Sequence, residues 1–280
     1  MSQLSLVFFT VLAQSAVGLF ISLGLVEMLA RPNEQVMTRS FMAVFVLLAI
    51  GAIASVTHLS QPLRMFNVMF GVAHASPLSL EIVALSLFGG AGVVYTAMRL
   101  FGIAPGLQKL VLPVAMVLGI VLILAIAKVY TLATVPTWNS NWTTFQFLMT
   151  AAVVGPLAAA ALLRFQSVDL GAVQVLADKA LATTVLMTMA ISLVGYVGYL
   201  FWLGQLPVAV NPLAMLSYGQ MLAMVRMVLL VGGVLMFAVS AMRGGSCGYQ
   251  AATSFVMVLV SEFMGRAFFY DIYLSAGSGM

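Results

Sequence analysis

The chain has 280 residues, of which 63% are hydrophobic and only 6% charged. A water-soluble domain carries about 25% charged residues to cover its surface, so a soluble fold is excluded and lipid must solvate most of this chain. Its net charge of +4 comes without any Lys/Arg run that could track phosphates, which argues against a nucleic-acid partner.

A membrane span needs about 20 mostly apolar residues to cross about 30 Å of hydrocarbon. Eight stretches meet that measure: Leu6–Leu29, Arg39–Thr57, Ser79–Leu100, Lys109–Tyr130, Thr144–Arg164, Lys179–Leu203, Gly219–Ala241 and Tyr249–Tyr270. The first begins without a basic region and runs longer than the about 7–15 residues of a signal-peptide core, so it is expected to be a retained span. Short connectors carry the turn formers Pro32-Asn33, Pro105-Gly106, Pro207, Asn211-Pro212 and Gly244-Gly245. None is long or polar enough to separate domains. The expected fold is all-α, a polytopic integral membrane protein in which residues 1–280 form one bundle of eight transmembrane helices.

Basic residues set the expected orientation. Arg31, Arg39, Arg99, Lys109, Arg164, Lys179 and Arg243 flank one side of the spans; Arg64, Lys128 and Arg266 flank the other. That bias puts both termini, and the connectors 58–78, 131–143 and 204–218, outside the cytoplasm. Trp138 and Trp142 bracket Asn139 in the second of these. Interfacial tryptophans are commonly a lipid-belt feature, but the Asn, Ser and Thr beside them favour a partner-docking surface.

A charge inside a span costs at least about 2.5–3.5 kcal/mol at mid-depth, so each one needs a reason. Most of them fall toward the outer side: Glu81 opens span three, Lys128 closes span four, Arg226 lies inside span seven, and Glu262 and Arg266 lie in span eight. Little comparable occupies the inner half, where Glu27 precedes Arg31 by four residues. Each has a structural reading. Lys128 snorkels; Glu262 and Arg266, one turn apart, neutralise each other; Arg226 pairs with a carboxylate such as Glu262; Glu81 complements the positive end of its helix. Glycines such as Gly89, Gly90, Gly92, Gly232 and Gly233 are expected at close helix contacts, and Gly155-Pro156 at a kink in span five.

The stretch His58–Glu81 gathers both histidines, Arg64, Pro62 and Pro77 and a carboxylate between apolar spans. Such a cluster suits the mouth of a quinol site, which needs a base near each hydroxyl and a proton exit to water. Histidine titrates near neutrality and a poorly solvated carboxylate relays protons, which points to His58 and Glu81. His58 is also open to a plainer reading, a helix-end histidine bonding a carbonyl. One cysteine, Cys247, excludes a disulfide, a Cys-ligated zinc site and a four-cysteine cluster within the chain. With no ligand set for a metal, the protein cannot store the electrons it takes, so the quinol reading requires a docked iron–sulfur partner.

His58-Leu59, Pro62, Arg64, Phe66-Asn67, Ser79, Glu81, Val129-Tyr130, Val135-Pro136-Thr137-Trp138, Glu262, Gly265-Arg266 and Phe269-Tyr270, in that order, resemble the DmsC family. These are membrane-anchor subunits of dimethyl sulfoxide reductase-type complexes in the bacterial inner membrane, and the likeness runs from the first span to the last. The resemblance implies menaquinol as substrate, with no cofactor bound by the anchor itself. It also implies electron transfer to a four-cluster iron–sulfur subunit and on to a molybdopterin catalytic subunit. It maps quinol binding and proton transfer onto His58 and Glu81 with Arg64 beside them; Ser60 departs from the glycine expected after His-Leu. Arg226, Glu262 and Arg266 form the supporting polar zone. Two other classes compete. A small secondary transporter would carry inverted repeats and a midplane site, and a haem-bearing quinone subunit would need facing histidines, which His58 and His74 do not resemble.

Overall fold

The computed structural model describes residues 2–30, 32–56, 67, 70–166, 173–208, 212–213, 220–244 and 247–274. These form eight long helices and no strand: α1 (Ser2–Ala30), α2 (Glu34–Val56), α3 (Pro77–Leu100), α4 (Pro105–Tyr130), α5 (Asn141–Phe165), α6 (Val173–Gly204), α7 (Gln220–Met242) and α8 (Gly248–Asp271). All eight are long and apolar enough to cross a membrane. Each expected span falls on one of them. Several helices begin before their hydropathic window: α2 at Glu34, α4 at Pro105 and α6 at Val173. An intrahelical hydrogen-bond ladder continues into polar residues that a transfer scale rejects.

Two helices, α1 and α5, lie deepest. On α1 pack α2 and α4; on α5 packs α6; α8 leans on both, while α3 pairs with α4 and α7 with α8. One contiguous apolar core draws on every helix. The α1–α5 seam is so close that a Cβ on Gly18 would run into the carbonyl of Ala151, and one on Gly155 into the backbone of Gly18. Pro156 follows at once. Lacking an N–H, it leaves the carbonyl of Ala152 without its intrahelical donor, and Thr188 Oγ1 of α6 supplies one at 3.1 Å. The other glycines divide. Gly233 meets Val258 and Met257, and Gly92 meets Phe45, as expected of contact positions, whereas Gly90 faces open space and serves no contact.

Polar side chains collect at the two ends of the bundle. One end joins Glu27 of α1 to Arg99 of α3, whose Nη1 also reaches Tyr95 Oη at 3.2 Å, and Arg164 of α5 to Asp178 of α6. Gln174 Nε2 donates to Asp178 at 2.9 Å. This end is therefore richer in buried charge than the sequence reading allowed, and Glu27 has its cation on α3. Asp178 escaped notice because it precedes the hydropathic window, yet lies well inside α6 and is fully buried. The opposite end, where α3 begins and α4 and α8 finish, holds Glu81.

Candidate functional site

Glu81 sits in the second turn of α3, which starts with Pro77 at its first position, where a missing N–H costs nothing. Just before it, residues 70–74 form a 3₁₀ turn, and Ser76 N–H bonds back to the Gly71 carbonyl at 3.1 Å. A Cβ on Gly71 would strike Ser79 Oγ, so the connector lies directly on the first turn of α3. His74, in this turn, is exposed. His58 and Arg64 lie outside the described residues.

The Glu81 side chain points inward and is only 6% exposed. Among the described residues it forms no ion pair. It lies within electrostatic reach of two buried tyrosines, Tyr130 at the end of α4 and Tyr270 at the end of α8. Their rings meet edge to face, 5.5 Å between centroids. The Tyr270 hydroxyl is buried, with the Tyr130 hydroxyl and Thr10 of α1 beside it.

One turn deeper on α8, Arg266 also acts on both tyrosines. It is 4% exposed. Its Nη2 donates to Gln14 Oε1 of α1 at 2.8 Å and to Thr150 Oγ1 of α5 at 3.2 Å, and its guanidinium lies 3.5 Å from the Phe147 ring centroid. Thr150 Oγ1 donates in turn to Glu262 Oε2 at 2.6 Å. The other oxygen of Glu262 lies 3.8 Å from Arg226 Nη2, and Arg226 stands 4.8 Å over the Tyr196 ring. The expected Arg226–Glu262 pair is thus present. The i, i+4 neutralisation of Glu262 by Arg266 is indirect, relayed through Thr150. Two guanidinium groups against one carboxylate leave the cluster with one surplus positive charge.

Buried Nε and Nη1 atoms of both arginines have no hydrogen-bond acceptor among the described residues. Beside them, between α5, α6, α7 and α8, lies a cavity of about 20 Å³ lined by Gln146, Thr150, Tyr196, Arg226, Glu262 and Arg266. That is room for about one water, which needs ≳10–15 Å³, and far below the about 300–1,000 Å³ of a ligand pocket. This cluster solvates charge; it does not hold a ring-sized ligand.

The two tryptophans differ in burial. Trp138 is buried, stacks on Phe269 with centroids 5.2 Å apart, and donates from Nε1 to the Phe269 carbonyl at 2.7 Å. An indole N–H finds a partner when buried, and here that partner locks the 131–140 connector onto α8. Asn139 is exposed and Trp142 half-buried, and both line an open groove of about 630 Å³ with Lys128, Ser140 and Trp202. Sequence reasoning missed Tyr130, Tyr270, Gln14 and Thr150 as members of the cluster. Tyr130 and Tyr270 stood among the residues that carry the family resemblance, and Gln14, an amide in the middle of an apolar span, also carried a usable signal. Among the described residues no group of three or more His, Cys, Asp or Glu is placed to hold a metal ion.

Residues 1–272 match the family described as DMSO reductase anchor subunit (DmsC). Over 286 residues the sequence is 33% identical to the C subunit of anaerobic dimethyl sulfoxide reductase from Escherichia coli (strain K12), a match that spans 97% of this protein and 95% of that one. It is also 40% identical over 162 residues to the YnfH subunit of anaerobic dimethyl sulfoxide reductase from the same organism, 57% of either protein. The C subunit of the Haemophilus influenzae anaerobic dimethyl sulfoxide reductase is 36% identical over 165 residues, 58% of either protein.

Proposed function

Since the protein belongs to the DMSO reductase anchor subunit (DmsC) family, as a multi-pass inner-membrane anchor, we propose that it also oxidises menaquinol, at the end of the bundle marked by Glu81. Oxidation of menaquinol to menaquinone breaks two O–H bonds and releases two protons and two electrons. Glu81 takes a proton from one hydroxyl and His58 of the preceding connector takes the proton of the other, with Arg64 completing the headgroup contacts. The protons leave to water at the same end. The electrons leave through the exposed surface around Asn139 and Trp142, where an iron–sulfur subunit docks, and pass on to a molybdopterin catalytic subunit. The redox cofactors belong to these partners: one cysteine cannot ligate a four-cysteine cluster.

The observation that carries this reading is a carboxylate buried at the bundle's end with no cation paired to it among the described residues. A charge so placed costs several kcal/mol unless it has a task that needs it, and intramembrane carboxylates mark proton routes. A transporter instead uses broken helices around a midplane site, while α3 runs unbroken and Glu81 lies near its start.

The test is Glu81→Gln in the assembled complex, driven either by a menaquinol analogue or by a water-soluble one-electron donor that bypasses the anchor. A positioned general base contributes about 10²–10⁴-fold. Quinol-driven turnover is expected to fall by about 100-fold or more while the bypass rate is unchanged. Undiminished quinol-driven turnover overturns the proposal.

A further inference from the structure

Arg226 and Arg266 are both more than nine-tenths buried, and both keep their guanidinium charge in any protein setting. The Arg226 guanidinium is gripped without being hydrogen-bonded. One side lies 4.8 Å from the Tyr196 ring centroid, and another rests on α8 at Gly265, where a Cβ would strike Cζ. Its Nη2 stands 3.8 Å from Glu262 Oε1, beyond hydrogen-bond reach, and its buried Nε and Nη1 have no acceptor among the described residues. Arg266 spends only Nη2, on Gln14 and Thr150, which leaves its Nε and Nη1 in the same condition. Four donor atoms therefore go unanswered, and both guanidinium groups line the one cavity of about 20 Å³. Ser192 of α6 adds a hydroxyl to that lining.

Charge and size together specify what such a cavity accepts. A water would take hydrogen bonds but leave one surplus positive charge buried at low dielectric, whereas an anion answers both the donors and the charge. Glu262 does not fill this role. Its Oε2 is taken by Thr150 Oγ1 at 2.6 Å, its Oε1 faces Arg226, and its single charge is outnumbered by two. The volume exceeds the about 10–15 Å³ that one water needs but leaves no room for a polyatomic oxyanion or a carboxylate ligand.

We propose that the cavity between α5, α6, α7 and α8 is a binding site for one halide-sized anion, chloride, held by the N–H groups of Arg226 and Arg266 as the counter-ion of the surplus guanidinium. The site does not depend on the menaquinol reading of Glu81. Its anion joins α7 to α8 where only a long Arg226–Glu262 contact otherwise links their charged side chains.

The test is equilibrium binding of radioactive chloride to the purified, assembled complex in gluconate buffer at fixed ionic strength. The parent complex is expected to bind chloride that bromide displaces and sulfate does not. Changes of opposite sign in the lining must move the affinity in opposite directions. Glu262→Gln removes the repelling carboxylate and should tighten chloride by about tenfold or more. Arg226→Gln leaves the remaining charges balanced and should weaken it by a similar factor, the effect of one unit charge in the interior at an effective dielectric constant of about 20.

Misfolding cannot imitate tighter binding, so Glu262→Gln decides the matter even if Arg226→Gln fails to assemble. No displaceable chloride on the parent complex overturns the proposal. So does chloride whose affinity neither variant moves, which places it elsewhere in the complex. If neither variant assembles, crystals of the parent complex grown in bromide locate the ion by anomalous scattering. A peak within hydrogen-bond distance of both arginines is the expected result, and water alone in the cavity overturns the proposal.

Discussion

Trp138 shows how one side chain fixes the geometry of an end of the bundle. Its ring stacks on Phe269 and meets Tyr130 and Tyr270 edge to face, and its N–H satisfies the Phe269 carbonyl near the end of α8. Thr143 Oγ1 in turn donates to the Trp138 carbonyl at 2.6 Å, so the connector is held from both sides. Trp138→Phe keeps most of the ring contact and leaves a buried carbonyl unpaired, a loss of about 1–3 kcal/mol. Thermal unfolding of the purified subunit or complex should show a lower midpoint for Trp138→Phe than for Trp142→Phe; equal midpoints would contradict the anchoring role. From sequence, Trp138 and Trp142 looked alike, because an interfacial tryptophan and a buried one share the same composition around them. Glu81 was legible for the opposite reason. A carboxylate in an apolar span is costly wherever it points, so its position alone marked it.

Among the elements, α1 and α5 set the architecture. Gly18 and Gly155 bring their backbones into contact, which lets Gln14 and Thr150 both reach Arg266. Gly18→Ala should therefore force the helices apart. The expected result is a lower thermal midpoint and a smaller yield of assembled complex, whereas Gly90→Ala, with open space around it, should behave as the parent. Equal effects of the two substitutions would contradict a tight seam. Element number and order were readable because each span is a long apolar run between turn formers. Which face of each helix turns inward was not readable. In lipid both the outward and the inward faces are apolar, so hydrophobic periodicity, the signal that orients a helix in a soluble protein, is nearly absent. That is why Thr150 on α5 and the role of Gly18 stayed hidden, and why Gly90 looked like a contact residue.

At the scale of the whole molecule, charge is gathered at two ends and each end has a different character. The Glu27–Arg99 and Arg164–Asp178 end is made of paired ions, carboxylate to guanidinium, and reads as structural fastening between helices. The Glu81 end differs in pairing: its buried carboxylate has no ion-pair partner among the described residues and lies near two tyrosines and the Arg226–Glu262–Arg266 cluster. On the proposed reading, the basic-residue bias puts the Glu81 end away from the cytoplasm, and that is the side on which the partner subunits would dock. The most direct test of this account is to photolabel the assembled complex with a light-activated naphthoquinone and map the modified residues by mass spectrometry. Label should fall on the connector and first turns between residues 57 and 81 and on the neighbouring end of α4, and excess menaquinol should suppress it. Suppressible label confined to the Glu27–Arg99 end would contradict the assignment of the quinol site to Glu81.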